Sequence, residues 1–208
     1  MGAMRCTPAE ITGCRGRRKK VKYSDNVGSR LAGRHDKRRK EVPMTETTRR
    51  NVEAAFVGEA KAYFRLLAFA GKADEEGYPQ VARLFRSIAA AEAVHAKSHF
   101  ELLEKVHSTE ENLKLSFEKE TFVNEVAYPE FLKQAWADED KLSIWYFTKA
   151  RNAEERHAHL YKLAISDMAS DKETQYFVCS YCGWIETLAR PEKCPNCGRA
   201  PELYSEIQ

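Results

Sequence analysis

Four cysteines fall in two pairs, Cys179-x-x-Cys182 and Cys194-x-x-Cys197, each followed by a glycine, Gly183 and Gly198. Each pair can place two thiolates on one metal ion. A glycine behind the second sulfur lets backbone N–H groups approach the thiolates, which raises the reduction potential of an iron–thiolate centre. As a bare pattern the four cysteines fit a zinc ribbon equally well. Cys6 and Cys14 have no such neighbours.

A second set of residues points to harder metal chemistry. Glu-x-x-His occurs as Glu92/His95 and again as Glu154/His157. Both pairs continue apolar stripes at helical spacing: Val81, Leu84, Phe85, Ile88, Leu102, Leu103 and Val106 around the first, and Ala150, Tyr161, Ile165 and Met168 around the second. Steps of three and four keep such residues on one helix face. Glu59 lies on a stripe with Val52, Phe56, Tyr63, Leu66 and Ala70, and Glu120 on one with Leu113, Phe117 and Ala127. An ionised carboxylate facing a core needs a cation or a proton. One inward Glu-x-x-His alone is more often a hydrogen-bonded core pair. Here the arrangement is duplicated: Phe-x-x-Glu precedes Glu-x-x-His in both halves, with Glu-to-Glu spacings of 33 and 34 residues. Two acids plus two Glu-x-x-His motifs are the general ligand set of ferritin-like di-iron or di-manganese bundles. Carboxylate oxygens with one imidazole per metal suit iron or manganese. His99, one turn past His95, reads as a core histidine and His159 as a surface one. Tyr63 and Tyr161 either orient ligand carboxylates or are simply core.

These residues point to an all-α four-helix bundle, ferritin-like, with a small C-terminal module whose knuckles resemble a rubredoxin-like β/loop metal domain. The spacing predicts helices over about 46–72, 78–107, 109–136 and 139–169. Gly71 and Gly77-Tyr78-Pro79 punctuate the first break, and Ser108-Thr109-Glu110-Glu111 reads as a cap. Pro129 should kink the third helix. Asp138-Glu139-Asp140 suits the start of the fourth. Short loops imply antiparallel neighbours. The domains expected are a basic extension over 1–43, the bundle over 44–169, a linker over 170–175 and the cysteine module over 176–208.

The chain has 208 residues, 43% hydrophobic and 31% charged, with net charge +3. Residues 1–43 hold 13 of the 34 basic and 4 of the 31 acidic side chains, a local +9 against −6 elsewhere. Such a segment cannot bury enough area to offset its ordering entropy, so disorder is expected. A polyanion-binding tail is one use for it; the blander reading is a dispensable extension with Met44 as the true start. The acidic remainder gives no reason to make nucleic acid the main partner. No apolar run approaches a membrane span or a signal-peptide core, so the expected compartment is the cytoplasm. There, paired cysteines indicate metal rather than disulfides.

Taken together, Gly58-Glu59, Glu92-x-x-His95, Glu120 followed by Tyr128-Pro129-Glu130-Phe131, Glu154-x-x-His157 and the terminal knuckles resemble the rubrerythrin family over about 45–208. The resemblance implies a peroxidase, an oxidoreductase reducing hydrogen peroxide to water in oxidative-stress defence. It implies two iron ions at Glu59, Glu92, His95, Glu120, Glu154 and His157, and one iron at Cys179, Cys182, Cys194 and Cys197 that relays electrons. It also implies a homodimer and a redox partner, a rubredoxin or an NAD(P)H-dependent reductase. Two positions depart from the pattern. The further glutamate usual three residues after the helix-three ligand is Val123, and a tyrosine often found on helix one is Leu66. Ferroxidase or O₂-reducing activity therefore stays open, as does a zinc-stabilised binding protein without turnover. Since the last helix is long, the module is expected roughly 20 Å or more from its own chain's ligands, so that electrons cross between chains of a head-to-tail dimer.

Overall fold

The computed structural model describes residues 43–171 and 173–207. The expectations for the basic extension, with Cys6 and Cys14, fall on residues outside these.

The fold class is the expected one: long helices followed by a small sheet that gathers the four cysteines. Helix α1 spans Glu46–Glu75 and opens on Thr45, whose hydroxyl accepts the Thr48 N–H at 3.2 Å. It turns through Gly77, at φ +81°, into α2, Pro79–Leu102. Helix α3, Thr109–Phe122, starts with the capping box of Ser108 and Glu111 that its sequence announces. A π-helical turn, Val123–Ala127, leads into α4, Tyr128–Ala137. Helix α5, Lys141–Asp167, is capped by Asp140, which accepts the N–H groups of Leu142 and Ser143 at 3.1 Å.

Helix α1 packs along α2, and α3, the π turn and α4 pack along α5. The first seam is made of alanines. Ala62, Ala70, Ala73, Ala82, Ala89 and Ala96 are all buried, and their small side chains let the two backbones approach closely. Between the two packs no comparable helix-to-helix packing occurs among the described residues. The short α2–α3 connection therefore does not make these helices packed neighbours, contrary to the expectation from loop length.

One helix end and one helix interior also differ from expectation. Helix α2 stops at Leu102, not near 107, because the following residues bond elsewhere. Arg49 Nη1 donates to the Leu103 carbonyl at 3.4 Å, Lys105 Nζ meets Glu53 Oε1 at 2.8 Å, and Glu104 turns through φ +55°. In the third helix the disturbance expected at Pro129 appears as the π turn just before it, where the Tyr128 N–H reaches the Val123 carbonyl five residues back. Proline has no N–H to continue the α pattern, and a π turn absorbs the mismatch.

Strands β1, Tyr176–Cys179, β2, Ile185–Thr187, and β3, Tyr204–Ile207, form the C-terminal sheet in the order β2-β1-β3, with β2 and β3 both antiparallel to β1. Its core is Phe177, Cys179, Cys194 and Tyr204, with Tyr181 and Trp184 against it.

Candidate metal centres

The four sulfurs come together in one cluster. Gly183 and Gly198 sit in the left-handed region at φ +75° and +72°, where a side chain would be strained. Their N–H groups donate to the carbonyls of Cys179 and Cys194 at 2.9 and 2.8 Å, which closes each knuckle. Cys179 and Cys197 sulfurs lie 3.9 Å apart, and Cys182 and Cys194 sulfurs 3.6 Å. Sulfurs placed tetrahedrally about 2.3 Å from a metal would be about 3.8 Å from one another. The cluster thus has the dimensions of a four-thiolate iron or zinc site, and all four thiols are free of disulfides. Burial pushes the Cys182 thiol far up. Burial acts on Cys194 in the same sense, but the Tyr204 hydroxyl and the N–H groups of Cys197 and Asn196 outweigh it and hold the thiol at about 7. Burial first, then the Cys194 sulfur, push the Tyr204 hydroxyl far above the ordinary phenol value.

The carboxylates and imidazoles form two triads, one per helical pack. Glu59, Glu92 and His95 join α1 to α2; Glu120, Glu154 and His157 join α3 to α5. Within each, the ligand atoms lie within 4.8 Å of one another. All six expected residues thus cluster, but as two threes in separate packs. The contacts inside the triads repeat: Glu92 Oε2 to His95 Nδ1 is 3.0 Å, and Glu154 Oε2 to His157 Nδ1 is 2.9 Å. The surroundings differ, since the His95 side chain is 57% exposed and that of His157 only 21%. Burial, the hydrogen bond with Glu154 and that group's charge push the Glu120 carboxyl up to about 7. Two acids crowded in this way call for a shared proton or a cation. Both triads offer two carboxylates and an imidazole, a hard donor set that fits iron.

The cysteine module does not stand apart from these ligands. It folds back along α5, and His157 Nε2 donates to the Gly183 carbonyl at 2.9 Å. The expected separation of roughly 20 Å is therefore not found. With Nε2 protonated, the His157 lone pair is at Nδ1, on the side of Glu154. Asn196 secures the docking, donating to the Lys149 carbonyl at 2.8 Å and accepting from Asn152 at 3.2 Å. Arg156 Nε donates to the Ile185 carbonyl at 2.9 Å, and Trp145 meets Tyr181 edge to face.

The sequence pattern does not announce these docking residues. Lys149, Asn152 and Arg156 lie off the apolar stripe of α5, where periodicity predicts only solvent. Tyr128 also belongs to the site. Burial first, then the charges of Glu154 and Glu120, raise its hydroxyl above the ordinary phenol value, which places it beside that pair. Its signal was present in the Tyr-Pro-Glu-Phe string. His159 is exposed, as expected, and His99, Tyr63 and Tyr161 are half-buried.

A family model described as Rubrerythrin matches residues 50–165. Nigerythrin of Nitratidesulfovibrio vulgaris is 31% identical over 173 residues, which is 76% of this chain and 86% of that one. Rubrerythrin-2 of Clostridium acetobutylicum is 30% identical over 164 residues, 71% of this chain and 89% of that one. Solved nigerythrin structures align as well. The mixed-valence one has a TM-score of 0.47 at 30% identity, covering 80% of this chain and 89% of that one. The fully reduced, all-ferrous one has a TM-score of 0.48 at 29% identity, with the same coverage. The family binds a di-iron pair, the triads fit it, and the cysteine cluster fits iron or zinc; the chain belongs to the rubrerythrin family.

Proposed function

We propose that this oxidoreductase reduces hydrogen peroxide to water, with Glu59, Glu92, His95, Glu120, Glu154 and His157 holding an iron pair and the four cysteines holding one further iron. The observation that carries this reading is the His157–Gly183 hydrogen bond, which joins a ligand imidazole to the residue next to Cys182. A pair of ferrous ions would supply the two electrons that, with two protons, turn one peroxide into two waters. The protein's part is to hold charge and geometry. Glu120 and Glu154 crowd negative charge where cations are to be held. Tyr128 presents a hydroxyl that stays protonated beside them. The His157 imidazole, fixed through Nε2, keeps Nδ1 facing the site and ties it to the cysteine module. Relay within one chain then replaces the expected relay between chains. A homodimer, a reductase or rubredoxin as electron donor, and a reducing cytoplasm belong to the same reading. So does the division into a bundle over 44–169 and a module over 176–208.

The test is stopped-flow mixing of the fully reduced protein with peroxide and, separately, with air-saturated buffer. Oxidation much faster with peroxide, followed by repeated turnover with a reductase, is expected. Equal rates would refute the peroxidase reading. They would favour O₂ reduction or ferroxidation, for which Val123 is the specific motive: a half-buried apolar side chain three residues past Glu120 that cannot bind metal. Metal analysis of protein purified without oxygen separates both from a zinc-stabilised binding protein.

A further inference from the structure

We propose that two copies of this chain exchange halves, so that each di-metal site takes Glu59, Glu92 and His95 from one copy and Glu120, Glu154 and His157 from the other. The proposal rests on the six-ligand reading above and adds which chains supply the ligands.

Connection length is the first argument. Two like hairpins that form a ferritin-like bundle need one long crossover, because the second hairpin must start at the far end from where the first one stops. Helix α2 ends at Leu102, just past His95, and α3 begins at Thr109, well before Glu120. At 1.5 Å per residue, those two distances from the ligands come to about 27 Å along the bundle. The connection is 103–108, and fully extended it reaches about 25 Å, even before the sideways step between helices. It is also far from extended. Glu104 sits at φ +55°, Leu103 and Lys105 are tied to Arg49 and Glu53 of α1, and His107 and Asn112 bond to each other twice, at 3.0 and 2.8 Å. The chain cannot bring its own halves together in that arrangement.

An uncovered face is the second argument. On α2 the alanines at 82, 89 and 96 face α1, while Val81, Leu84, Ile88 and Leu102 run beside them at 44%, 56%, 39% and 53% exposure. His95 belongs to this stripe by its spacing of three, four and seven residues. An apolar stripe with a metal ligand in its middle is a core face, and nothing in the chain covers it among the described residues. The occupant is specified by its chemistry: a helical pack carrying two more carboxylates and one more imidazole, aligned to complete a two-metal site. The α3–α5 pack has that set and leaves Phe122 and Phe131 at 56% and 49% exposure. A second copy carries both halves, so one two-fold operation closes both sites and leaves no pack unpaired.

The experiment uses two full-length variants with different tags. One carries Glu92→Gln and His95→Gln, the other Glu154→Gln and His157→Gln. They are co-expressed, purified through both tags and loaded anaerobically with Fe²⁺, and the iron bound beyond the thiolate centre is counted. Each variant alone should bind no iron pair, whereas the mixed dimer should regain about half of the wild-type pairs, one site of two. No regain, while the wild type carries its pair, overturns the proposal, as does a fully loaded monomer in sedimentation. A second arm needs no metal. Inserting about 15 flexible residues after Val106 lets one chain span the bundle by itself, so the mass should fall from dimer to monomer. A dimer indifferent to this insertion overturns the exchange. If the wild type holds no iron pair but the lengthened chain still becomes monomeric, the metal reading fails and the exchange stands.

Discussion

His157 and Gly183 are joined by a 2.9 Å hydrogen bond, from the imidazole Nε2 to the carbonyl of the residue that follows Cys182. The contact exists only while the cysteine module lies against α5. Asn196, buried at 7% exposure, is a fastener of that docking whose side chain is itself no metal ligand. Asn196→Ala removes two hydrogen bonds and leaves buried partners behind, at a cost of about 1–3 kcal/mol. The ferric–thiolate spectrum should survive, while re-reduction of the iron pair through the module slows at least several-fold in stopped-flow traces. Unchanged re-reduction would mean that electrons reach the pair by another route.

The Glu120 carboxyl, raised from 4.5 to about 7, sets a pH dependence for the metal-free protein. Between those values the folded chain keeps a proton that the unfolded chain has released. The folded state then binds more protons, so this group's contribution to stability falls as pH rises from 4.5 to about 7 and is flat above that. The groups held below their ordinary values, Glu111 and Asp140 among them, act in the opposite sense and at lower pH. Melting temperature should therefore drop, on the order of a few degrees because the carboxyl is partly exposed, between about pH 5 and pH 8. Glu120→Gln should flatten the curve in calorimetry of the chelated protein.

The duplicated ligands were legible in the sequence because helix periodicity converts spacing directly into facing. Glu92 and His95, or Glu154 and His157, share a face whatever the packing around them. The cysteine cluster was legible because two knuckles can meet only at one metal. Packing between elements was not. That α1 and α2 meet through alanines follows from which small residues happen to align, and alanine carries little hydrophobic signal. The docking of Asn196 on Lys149 and Asn152 joins residues more than forty positions apart, with no periodic pattern to announce it. The stop at Leu102 depends on Arg49 and Lys105 bonding across the hairpin, a tertiary preference that overrides local helix propensity.

Val123 opens the π turn, three residues past Glu120 and half-buried. Val123→Glu would add a third carboxylate close to Glu120 and Glu154. In the metal-free chain this adds repulsion and should lower the melting temperature. In the iron-loaded chain the added oxygen ligand should raise the rate of oxidation by peroxide relative to that by O₂, on the order of tenfold if ligand exchange limits the reaction. Both readings come from one preparation, and an unchanged peroxide-to-O₂ ratio would make the Val123 departure functionally silent.

Ala89 is fully buried in the α1–α2 seam, one turn before Glu92 on the same helix. A leucine there has no space, and overpacking a well-packed seam costs about 1–3 kcal/mol. The helices must part to admit it, and parting them carries Glu59 away from Glu92 and His95. Ala89→Leu should therefore lower the urea midpoint and, in addition, reduce the iron bound by the bundle while leaving the ferric–thiolate spectrum intact. Ala90→Leu is the matched control. It makes the same chemical change one residue on, at an exposed position pointing away from the seam, and should leave both midpoint and iron content alone. Equal effects of the two variants would show that the alanine seam does not position the ligands.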